Sequence, residues 1–128
     1  MTLLVDTHVL LGAAGEPHRL SRKARRLLDD PDTQLWFSAV SLWEVAIKHG
    51  LGRRDFRAEP RRLRRGLLDS GWRELSISSD HAMATLDLPA IHEDPFDRML
   101  LAQAEVEGLT LVTSDDVVAR YPGNVRQV

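Results

Sequence analysis

The amino-acid sequence predicts an α/β fold built around a mainly parallel sheet. Short apolar runs alternate along the chain with longer segments of helical pattern, as expected of successive βα units. The strongest apolar runs lack polar residues at alternating positions, as strands buried on both faces require. With 128 residues, we expect a single domain spanning residues 1–128, because two halves would each bury too little apolar surface.

Five segments are candidates for the strands of this sheet. The first apolar run stops at Asp6 and the second stops at Ser38, whereas the third candidate is weaker and the fifth is short. In chain order the candidates are Thr2–Val5, Gln34–Phe37, Trp72–Ile77, Leu109–Val112 and Asn124–Val128.

Helical patterns fill the segments between the predicted strands. The clearest begins at Pro95, because Asp94 is a favoured N-cap and Gly108 suits the C-terminal cap. Capping fully explains Asp94, which is therefore interpreted as structural. The predicted helices are Ser21–Leu28, Ala39–His49, Pro60–Leu68, Ser79–Leu86 and Pro95–Glu107.

The composition excludes several classes of protein. With 43% hydrophobic and 28% charged residues, the chain matches a globular fold rather than a disordered one. The 17 basic and 19 acidic residues give a net charge of −2, which argues against a strongly basic nucleic-acid binder. The absence of cysteine excludes disulfide scaffolds, thiol nucleophiles and cysteine-bound zinc. No apolar run approaches the ~20 residues of a membrane span and no signal-peptide pattern opens the chain, so we expect a cytoplasmic protein.

Two carboxylates stand where a ligand site would form. Asp6 follows the first strand, and the carboxyl ends of parallel strands line the ligand crevice of an α/β sheet; alternatively, Asp6 only caps the next helix. Asp97 shares a helix side with Leu100 and Leu101, so its carboxylate would be buried and would need a cation or several donors. Its alternative role is a capping box with Asp94, for which an aspartate side chain is short.

Glu44 lies at the edge of the apolar face of its helix, about 40° around the axis from Val40. If the helix starts at Ser41, Glu44 completes a capping box, whereas a start at Ser38 places Glu44 inside the helix. The apolar face predicted for this helix consists of Val40, Trp43 and Ile47.

Asp115 follows the fourth strand as Asp6 follows the first. The alternative is that Asp115 is simply a favourable acid in a first helical turn. The adjacent Asp116 is the weaker candidate of the pair, although spacing alone does not separate the two.

The four candidate carboxylates together indicate a metal site. If they converge, they cannot all stay ionised side by side without a cation between them. Ligand sets made only of carboxylate oxygens favour Mg²⁺ or Mn²⁺ over zinc, and such ions commonly serve phosphoryl chemistry. The pattern therefore predicts metal-dependent phosphoryl transfer or hydrolysis.

Four short motifs resemble, in order and spacing, the PIN-domain ribonucleases, and most closely the VapC-type toxins of prokaryotic type II toxin–antitoxin pairs. The motifs are Leu4–His8, Ser38–Glu44, Asp94–Arg98 and Val112–Asp115, and the resemblance covers essentially the whole chain. It implies a three-layer α/β sandwich whose central parallel sheet of about five strands is flanked by helices. One departure is the segment Gly12–Gly15, which replaces a bulkier one, so the first helix is expected to be short or mobile.

The resemblance implies a Mg²⁺- or Mn²⁺-dependent endoribonuclease. Asp6 and Asp97 would be the most direct metal ligands, and Asp115 would help to hold metal or water. The hydroxyls of Thr7 and Thr113 would support this cluster. Metal-activated water would attack the phosphodiester in line, leaving 5′-phosphate and 3′-hydroxyl ends. The four catalytic positions implied are Asp6, Glu44, Asp97 and Asp115.

The same resemblance implies the partners of the chain. Besides its RNA substrate, a cognate antitoxin protein is expected to suppress activity by placing a basic residue or a peptide segment into the metal site. A homodimer is also expected, because one short acidic groove would hold a folded RNA poorly. No membrane partner is expected.

Positive charge is concentrated in two segments. They form either a phosphate-binding rim that guides RNA, or a landing surface for an acidic partner, or solvated helix faces whose arginine stems cover apolar neighbours. The first segment contains Arg19, Arg22, Lys23, Arg25 and Arg26, and the second contains Arg53, Arg54, Arg57, Arg61, Arg62, Arg64 and Arg65.

The histidines and tryptophans are interpreted mainly as structural. Five histidines are scattered without a paired spacing, so no zinc site is expected, and His8 beside Asp6 is expected to be structural. Arg98 falls opposite the apolar stripe of its helix and is expected to be solvated or ion-paired. Trp36 and Trp43 are expected in the core rather than as platforms for stacked bases.

Three other functions compete with the ribonuclease. A haloacid-dehalogenase-type phosphatase needs a second aspartate two residues after the first, but His8 stands there. A receiver domain needs a lysine after a late strand, and Lys23 and Lys48 are both too early. The remaining alternative is a catalytically inactive PIN-fold RNA- or protein-binding module, against which the filled acidic positions argue.

Overall fold

A five-stranded parallel sheet forms the centre of the fold. The computed structural model describes residues 1–128, and its strands are β1 (Thr2–Val5), β2 (Gln34–Ser38), β3 (Arg73–Leu75), β4 (Thr110–Thr113) and β5 (Val125–Gln127). Their spatial order is β3-β2-β1-β4-β5, and every neighbouring pair is parallel. All five predicted strands are present, which confirms the α/β fold class.

Six α-helices flank the sheet. They are α1 (Thr7–Ala13), α2 (Arg22–Asp29), α3 (Ala39–Gly50), α4 (Pro60–Asp69), α5 (Ser79–Ala84) and α6 (Pro95–Glu107). The predicted bounds of α6 are the observed ones, but the helix predicted over 79–86 ends early. The Thr85 hydroxyl donates to the Ala82 carbonyl, and the chain tightens there into a short 3₁₀ turn. No helix combines the length and apolar character needed to span a membrane.

The sheet is buried on both faces, as its continuous apolar strands require. Leu3 and Val5 point into one core, with the apolar residues of α1 and α4. Leu4, between them, points into a second core on the opposite face, where α6 packs. These three side chains of β1 are fully buried. The two cores give the three-layer sandwich that the family resemblance implies.

Helix α1 is short, as expected, and packs closely on the chain that follows it. It has seven residues, and most of them are buried. A Cβ at Gly12 would lie 2.7 Å from Leu20 Cδ2, so a larger residue would push these segments apart. Gly12 therefore permits a close approach between α1 and the segment that leads into α2.

The predicted apolar face of α3 is wrong in two of its three residues. Val40 is buried, but Trp43 is 58% exposed and Ile47 is 37% exposed. The helix instead turns Glu44 and Val45 inward, both less than 5% exposed. Position along a helix fixes which residues share a face, but only packing decides which face meets the sheet.

The strand order changes direction at β1, and this switch point lies at the carboxyl edge of the sheet. From β1 the chain runs outward through β2 to β3, then returns across the sheet to β4 on the other side of β1. Ligand crevices of open α/β sheets form at such a switch point. Asp6 follows β1 here, and Ser114 and Asp115 follow β4.

Candidate active site

Asp6 is held firmly at the end of the central strand. Its Oδ1 accepts the Val9 amide at 3.0 Å, which realises the predicted cap of α1. Its Oδ2 accepts the Thr113 hydroxyl at 2.6 Å. Burial raises the pKa of Asp6, although the bonds from Thr113 and Val9 and the charge of His8 each lower it. The carboxylate is thus fixed from two sides in an environment that disfavours its charge.

Asp97 lies in the first turn of α6, and its carboxylate does not complete a capping box. Asp94 is the N-cap, as predicted, since its Oδ1 accepts the amides of Phe96 at 2.8 Å and Asp97 at 3.1 Å. The Asp97 carboxylate instead pairs with His92, Oδ2 to Nε2, at 2.9 Å. Burial is the main cause that raises the pKa of Asp97 to about 6.

Glu44 is a buried carboxylate with one oxygen left over. Ser38 starts α3 by accepting the Val40 amide, so Glu44 lies inside the helix rather than in a capping box. Lys48, one turn later, donates its Nζ to Glu44 Oε2 at 2.5 Å. The other oxygen, Oε1, is buried and has no hydrogen-bond partner. A buried carboxylate oxygen without a donor is costly in a folded protein, so a ligand is the natural explanation.

Asp115 is linked to the same edge through Thr113. The buried Thr113 hydroxyl, which donates to Asp6, also accepts the Asp115 amide at 3.0 Å. Asp115 Oδ1 accepts the amides of Val117 at 2.7 Å and Val118 at 3.2 Å, so Asp115 caps the turn that follows β4 rather than lying within a first helical turn. Asp116 is exposed and bonds Gln127. Asp115 therefore faces the structured edge and Asp116 the solvent.

Asp97 lies within electrostatic reach of both Asp6 and Glu44. The negative charges of Asp94, Asp6 and Glu44 each raise the pKa of Asp97. Asp115 is not among the groups that shift this pKa, and its amide is connected to Asp6 through the Thr113 hydroxyl. We call Asp6, Glu44 and Asp97 the carboxylate cluster.

The two threonines predicted to support the site behave differently. Thr113 binds Asp6 directly, as described above. The Thr7 hydroxyl donates instead to the Ser41 hydroxyl at 3.0 Å, and both residues are buried. Thr7 therefore links α1, which follows Asp6, to α3, which carries Glu44. Its hydroxyl does not itself bond to a carboxylate.

Two residues near the carboxylates were not predicted. Lys48 stands four residues after Glu44, a spacing that brings opposite charges together on a helix, so the sequence did contain a signal for it. His92 lies in the irregular segment 88–94, where no periodicity indicates which side chain faces the site. The potential ligand atoms of His92, Asp94 and Asp97 all lie within 4.8 Å of one another.

Two aromatic rings lie close to the Lys48 ammonium. Its Nζ lies 4.7 Å from the ring centroid of Phe56 and 5.7 Å from that of Phe96. Trp43 meets Phe96 edge to face at 5.4 Å between centroids, outside the core where it was predicted. Trp36 is half-buried and packs against the second core.

Arg98 is half-buried and bonds to backbone carbonyls rather than to a carboxylate, contrary to the prediction of a solvated or ion-paired side chain. Its guanidinium donates to the carbonyls of Thr85 at 2.9 Å, Pro89 at 3.1 Å and His92 at 3.3 Å. It also donates to the Tyr121 hydroxyl at 3.3 Å. Arg98 therefore binds the irregular segment to α6, a use of five fixed donors that helix spacing cannot reveal.

The second basic segment divides into two parts. The loop 51–58 lies beside the site, because Phe56 contacts both Lys48 and, at 5.7 Å between rings, His8. Arg64 instead pairs with Glu74 at 2.6 Å, at the outer strand β3. In the first segment Arg19 pairs with Glu16 at 2.7 Å. The loop 51–58 carries Arg53, Arg54 and Arg57, of which Arg53 pairs with Asp55 at 3.6 Å.

The carboxylate cluster fits a hard divalent cation. Its donors are all oxygens, the set that Mg²⁺ and Mn²⁺ prefer. The unpartnered Glu44 Oε1 and the raised pKa values of Asp6 and Asp97 are the features that a bound cation would relieve. The cluster is looser than the His92–Asp94–Asp97 group, which alone brings three potential ligands within 4.8 Å.

Fold and site together define an α/β protein with an acidic, cation-compatible crevice at the switch point of a parallel sheet. A sequence model of the PIN domain matches residues 3–124. The chain belongs to the PIN domain family, which confirms the resemblance seen in the sequence.

The relatives include VapC proteins. The chain is 30% identical over 123 residues to Ribonuclease VapC22 of Mycobacterium tuberculosis, covering 89% of this chain and 87% of that protein. Among solved structures, it is similar to VapBC2 of Rickettsia felis bound to a promoter DNA fragment, with a TM-score of 0.73, 14% identity, and coverage of 100% and 99% of the two chains. It is also similar to VapC20 of Mycobacterium tuberculosis, described as a sarcin–ricin loop cleaving toxin, with a TM-score of 0.63, 18% identity, and coverage of 93% and 95%. These structures support the fold.

Proposed function

We propose that this chain is a Mg²⁺- or Mn²⁺-dependent endoribonuclease that acts as the toxin of a toxin–antitoxin pair and hydrolyses RNA phosphodiesters. The observation that carries the proposal is the buried, unpartnered Oε1 of Glu44 beside two further carboxylates of raised pKa. Same-sign charges gathered in a dry crevice lower the stability of the protein, which favours a role in binding a cation. The similarity to a ribonuclease over most of the chain supports RNA as the substrate.

Asp6, Asp97 and Asp115 are the residues proposed to hold the cation, and Glu44 completes the catalytic set. When bound, a divalent cation supplies Lewis-acid stabilisation of charge on a phosphodiester and lowers the pKa of coordinated water. The protein supplies the fixed geometry. Thr113 donates to Asp6 and accepts from the Asp115 amide, so one hydroxyl orients the residues that follow β1 and β4.

Lys48 and the loop 51–58 are proposed to receive the phosphate chain. Lys48 pairs with one oxygen of Glu44 and lies close to the rings of Phe56 and Phe96, so its ammonium is held at the rim of an acidic site. Arg53, Arg54 and Arg57 follow on the neighbouring loop. A basic rim around an acidic centre allows RNA to approach carboxylates that would otherwise repel it.

We also propose an antitoxin partner and a homodimer. Several similar structures were solved as VapBC or toxin–antitoxin complexes, which supports a partner of that type for this chain. A dimer would place two crevices side by side and so extend the surface that a folded RNA contacts. Light scattering on the purified chain should give a mass of twice 14.4 kDa; a mass of 14.4 kDa alone would rule out the homodimer.

The test of the enzyme is cleavage of total cellular RNA by the purified, partner-free chain in Mg²⁺ or Mn²⁺ and again in excess EDTA. We expect discrete fragments with 5′-phosphate ends that disappear with EDTA. Asp97→Asn should lower the rate by more than about a hundredfold, because even residues that only support a metal ligand are worth about 10- to 100-fold.

A matched control separates the site from its general charge. Glu93→Gln removes one exposed negative charge from the segment next to the site without touching a buried carboxylate, and should leave cleavage unchanged. If wild type and Asp97→Asn behave alike, and calorimetry detects no Mn²⁺ or Mg²⁺ binding to the wild type, the enzyme proposal fails. The inactive PIN-fold binding module would then be the better description.

A further inference from the structure

His92 occupies one oxygen of a proposed metal ligand. Its Nε2 lies 2.9 Å from Asp97 Oδ2, and both side chains are about four-fifths buried, at 22% and 20% exposed. Asp97 is left with Oδ1 as the oxygen that His92 does not engage. A carboxylate held by a side-chain donor at one oxygen loses rotational freedom, and the direction of its other oxygen becomes fixed.

The backbone of His92 is itself held from two sides. Its amide donates to the Tyr121 hydroxyl at 2.8 Å, and its carbonyl accepts from Arg98 and from the same hydroxyl, each at 3.3 Å. Tyr121 is 4% exposed, so these bonds are made in a largely dry environment. The segment 88–94 has no helix or strand, and the clamp of Arg98 and Tyr121 supplies the rigidity that regular structure would otherwise provide.

We propose that His92 is a positioning residue for Asp97, and that Arg98 and Tyr121 position His92 in turn. The inference rests on the proposed function, since it assigns a role toward the cation that Asp97 is proposed to hold. By fixing Oδ2, His92 orients the carboxylate before any cation arrives, so less conformational entropy is lost on binding. No motif of the family resemblance assigned this histidine.

The contacts favour positioning over direct ligation by the imidazole. His92 Nε2 is already engaged by Asp97 Oδ2. Asp94, the third member of the close group, uses its Oδ1 to cap α6 through two amides. A cation bound between His92 and Asp94 would compete with both arrangements. The competing role predicts a different response to substitution, which the test uses.

The test measures Mn²⁺ affinity by calorimetry and, separately, kcat and KM for RNA cleavage. His92→Ala should weaken Mn²⁺ binding by about 10- to 100-fold, the range for groups that orient metal ligands. His92→Gln keeps an amide N–H at about the reach of the imidazole Nε2 and should bind Mn²⁺ within about threefold of wild type. His18→Ala, at an exposed histidine in the short 3₁₀ turn Pro17–Arg19 before α2, is the matched control and should change nothing.

A second variant tests the clamp without altering the histidine. Tyr121→Phe removes only the hydroxyl that binds both backbone groups of His92 and should weaken Mn²⁺ binding by a smaller factor, about 3- to 10-fold. The unfolding transition of each variant, followed by circular dichroism, verifies that it is folded at the assay temperature.

Three results would overturn the inference. Wild-type Mn²⁺ affinity in a folded His92→Ala protein would show that the histidine does not position the ligand. Equal loss in His92→Gln and His92→Ala would point to the imidazole as a ligand itself. If the wild type binds and cleaves while the His92 variants match it, only this inference fails; if the wild type binds no cation, the proposed function fails with it.

Discussion

Two buried polar clusters lie along the sheet, and they differ in whether their hydrogen bonds are complete. In the first, the Ser38 hydroxyl donates to Gln103 Oε1 at 2.6 Å, and Gln103 Nε2 contacts the Ser76 carbonyl and His81 Nδ1 at 3.4 Å each. We call Ser38, Gln103 and His81 the glutamine cluster; each is 3% exposed or less. In the carboxylate cluster Asp6 and Glu44 are buried to a similar degree and Asp97 is half-buried, but the three charges have one sign and Glu44 Oε1 has no partner.

The contrast distinguishes polar groups that stabilise the fold from polar groups that are suited to binding a ligand. Neutral donors and acceptors that satisfy one another contribute to stability and specify the packing. Buried like charges do the opposite, and a bound cation relieves their repulsion. Helix α3 connects the two, since Ser38 caps it and Glu44 lies on its second turn.

The largest effect expected from this contrast is stabilisation by cation. At a Mn²⁺ concentration of about 100 times its Kd, the free energy of unfolding should rise by about 2.7 kcal/mol, because only the folded protein holds Asp6, Asp97 and Asp115 together to bind the ion. Thermal unfolding with and without Mn²⁺ measures this. Asp97→Asn should show little of the rise, whereas a rise of equal size in that variant would remove the carboxylate cluster as its cause.

The second effect is a loss of stability as pH rises in the absence of metal. The folded pKa of Asp97, about 6, exceeds its unfolded value of 3.8, so the folded state holds the proton more tightly. The resulting stabilisation is complete below pH 3.8 and is lost as pH rises through about 6. We expect Asp97 to account for a fall of about 2 kcal/mol over this range, after allowance for partial exposure. Asp6, whose pKa is also raised, acts in the same direction.

Urea unfolding in EDTA at pH 4, 5, 6 and 7 measures the slope. Asp97→Asn cannot ionise, so its unfolding free energy should fall less over the same range. A wild-type curve that rises from pH 4 to 7 with the same shape in Asp97→Asn would contradict the assignment.

The third effect concerns the glutamine cluster, where a substitution should lower stability but leave Mn²⁺ affinity unchanged. Gln103→Leu leaves the Ser38 hydroxyl without its acceptor, and should lower the free energy of unfolding by about 1 to 2 kcal/mol. Mn²⁺ affinity of the folded variant should stay at the wild-type value, because no carboxylate loses a partner. A variant with normal stability but weakened Mn²⁺ binding would show that the two clusters are not separate.

Much of this arrangement is visible in the sequence because it depends on local pattern. The apolar run Thr2–Val5 predicts the central strand, and a carboxylate directly after it must lie at the carboxyl edge. The cap, proline and glycine around Pro95–Glu107 fix the bounds of α6 to the residue. Asp6 and Asp97 are therefore predictable positions, although their chemistry is a proposal.

The parts that escape prediction depend on contacts distant in sequence. His92 faces Asp97 because Tyr121, 29 residues later, holds its backbone, and no spacing rule contains that contact. Arg98 was expected in solvent because helix position alone ignores the irregular segment that folds over it. Trp43 was expected in the core because apolar character outweighed the possibility that α3 turns a glutamate inward.

The smallest predicted effect concerns Trp43, which was expected in the core but is exposed. Trp43 is 58% exposed and meets Phe96 edge to face, so Trp43→Ala should lower the free energy of unfolding by less than about 1 kcal/mol. Phe37→Ala, at a fully buried ring in β2, should cost about 3 to 5 kcal/mol and is the control. Urea unfolding of both variants measures the difference. A loss at Trp43 as large as at Phe37 would mean that α3 turns its tryptophan inward, and then Glu44 could not be part of the carboxylate cluster.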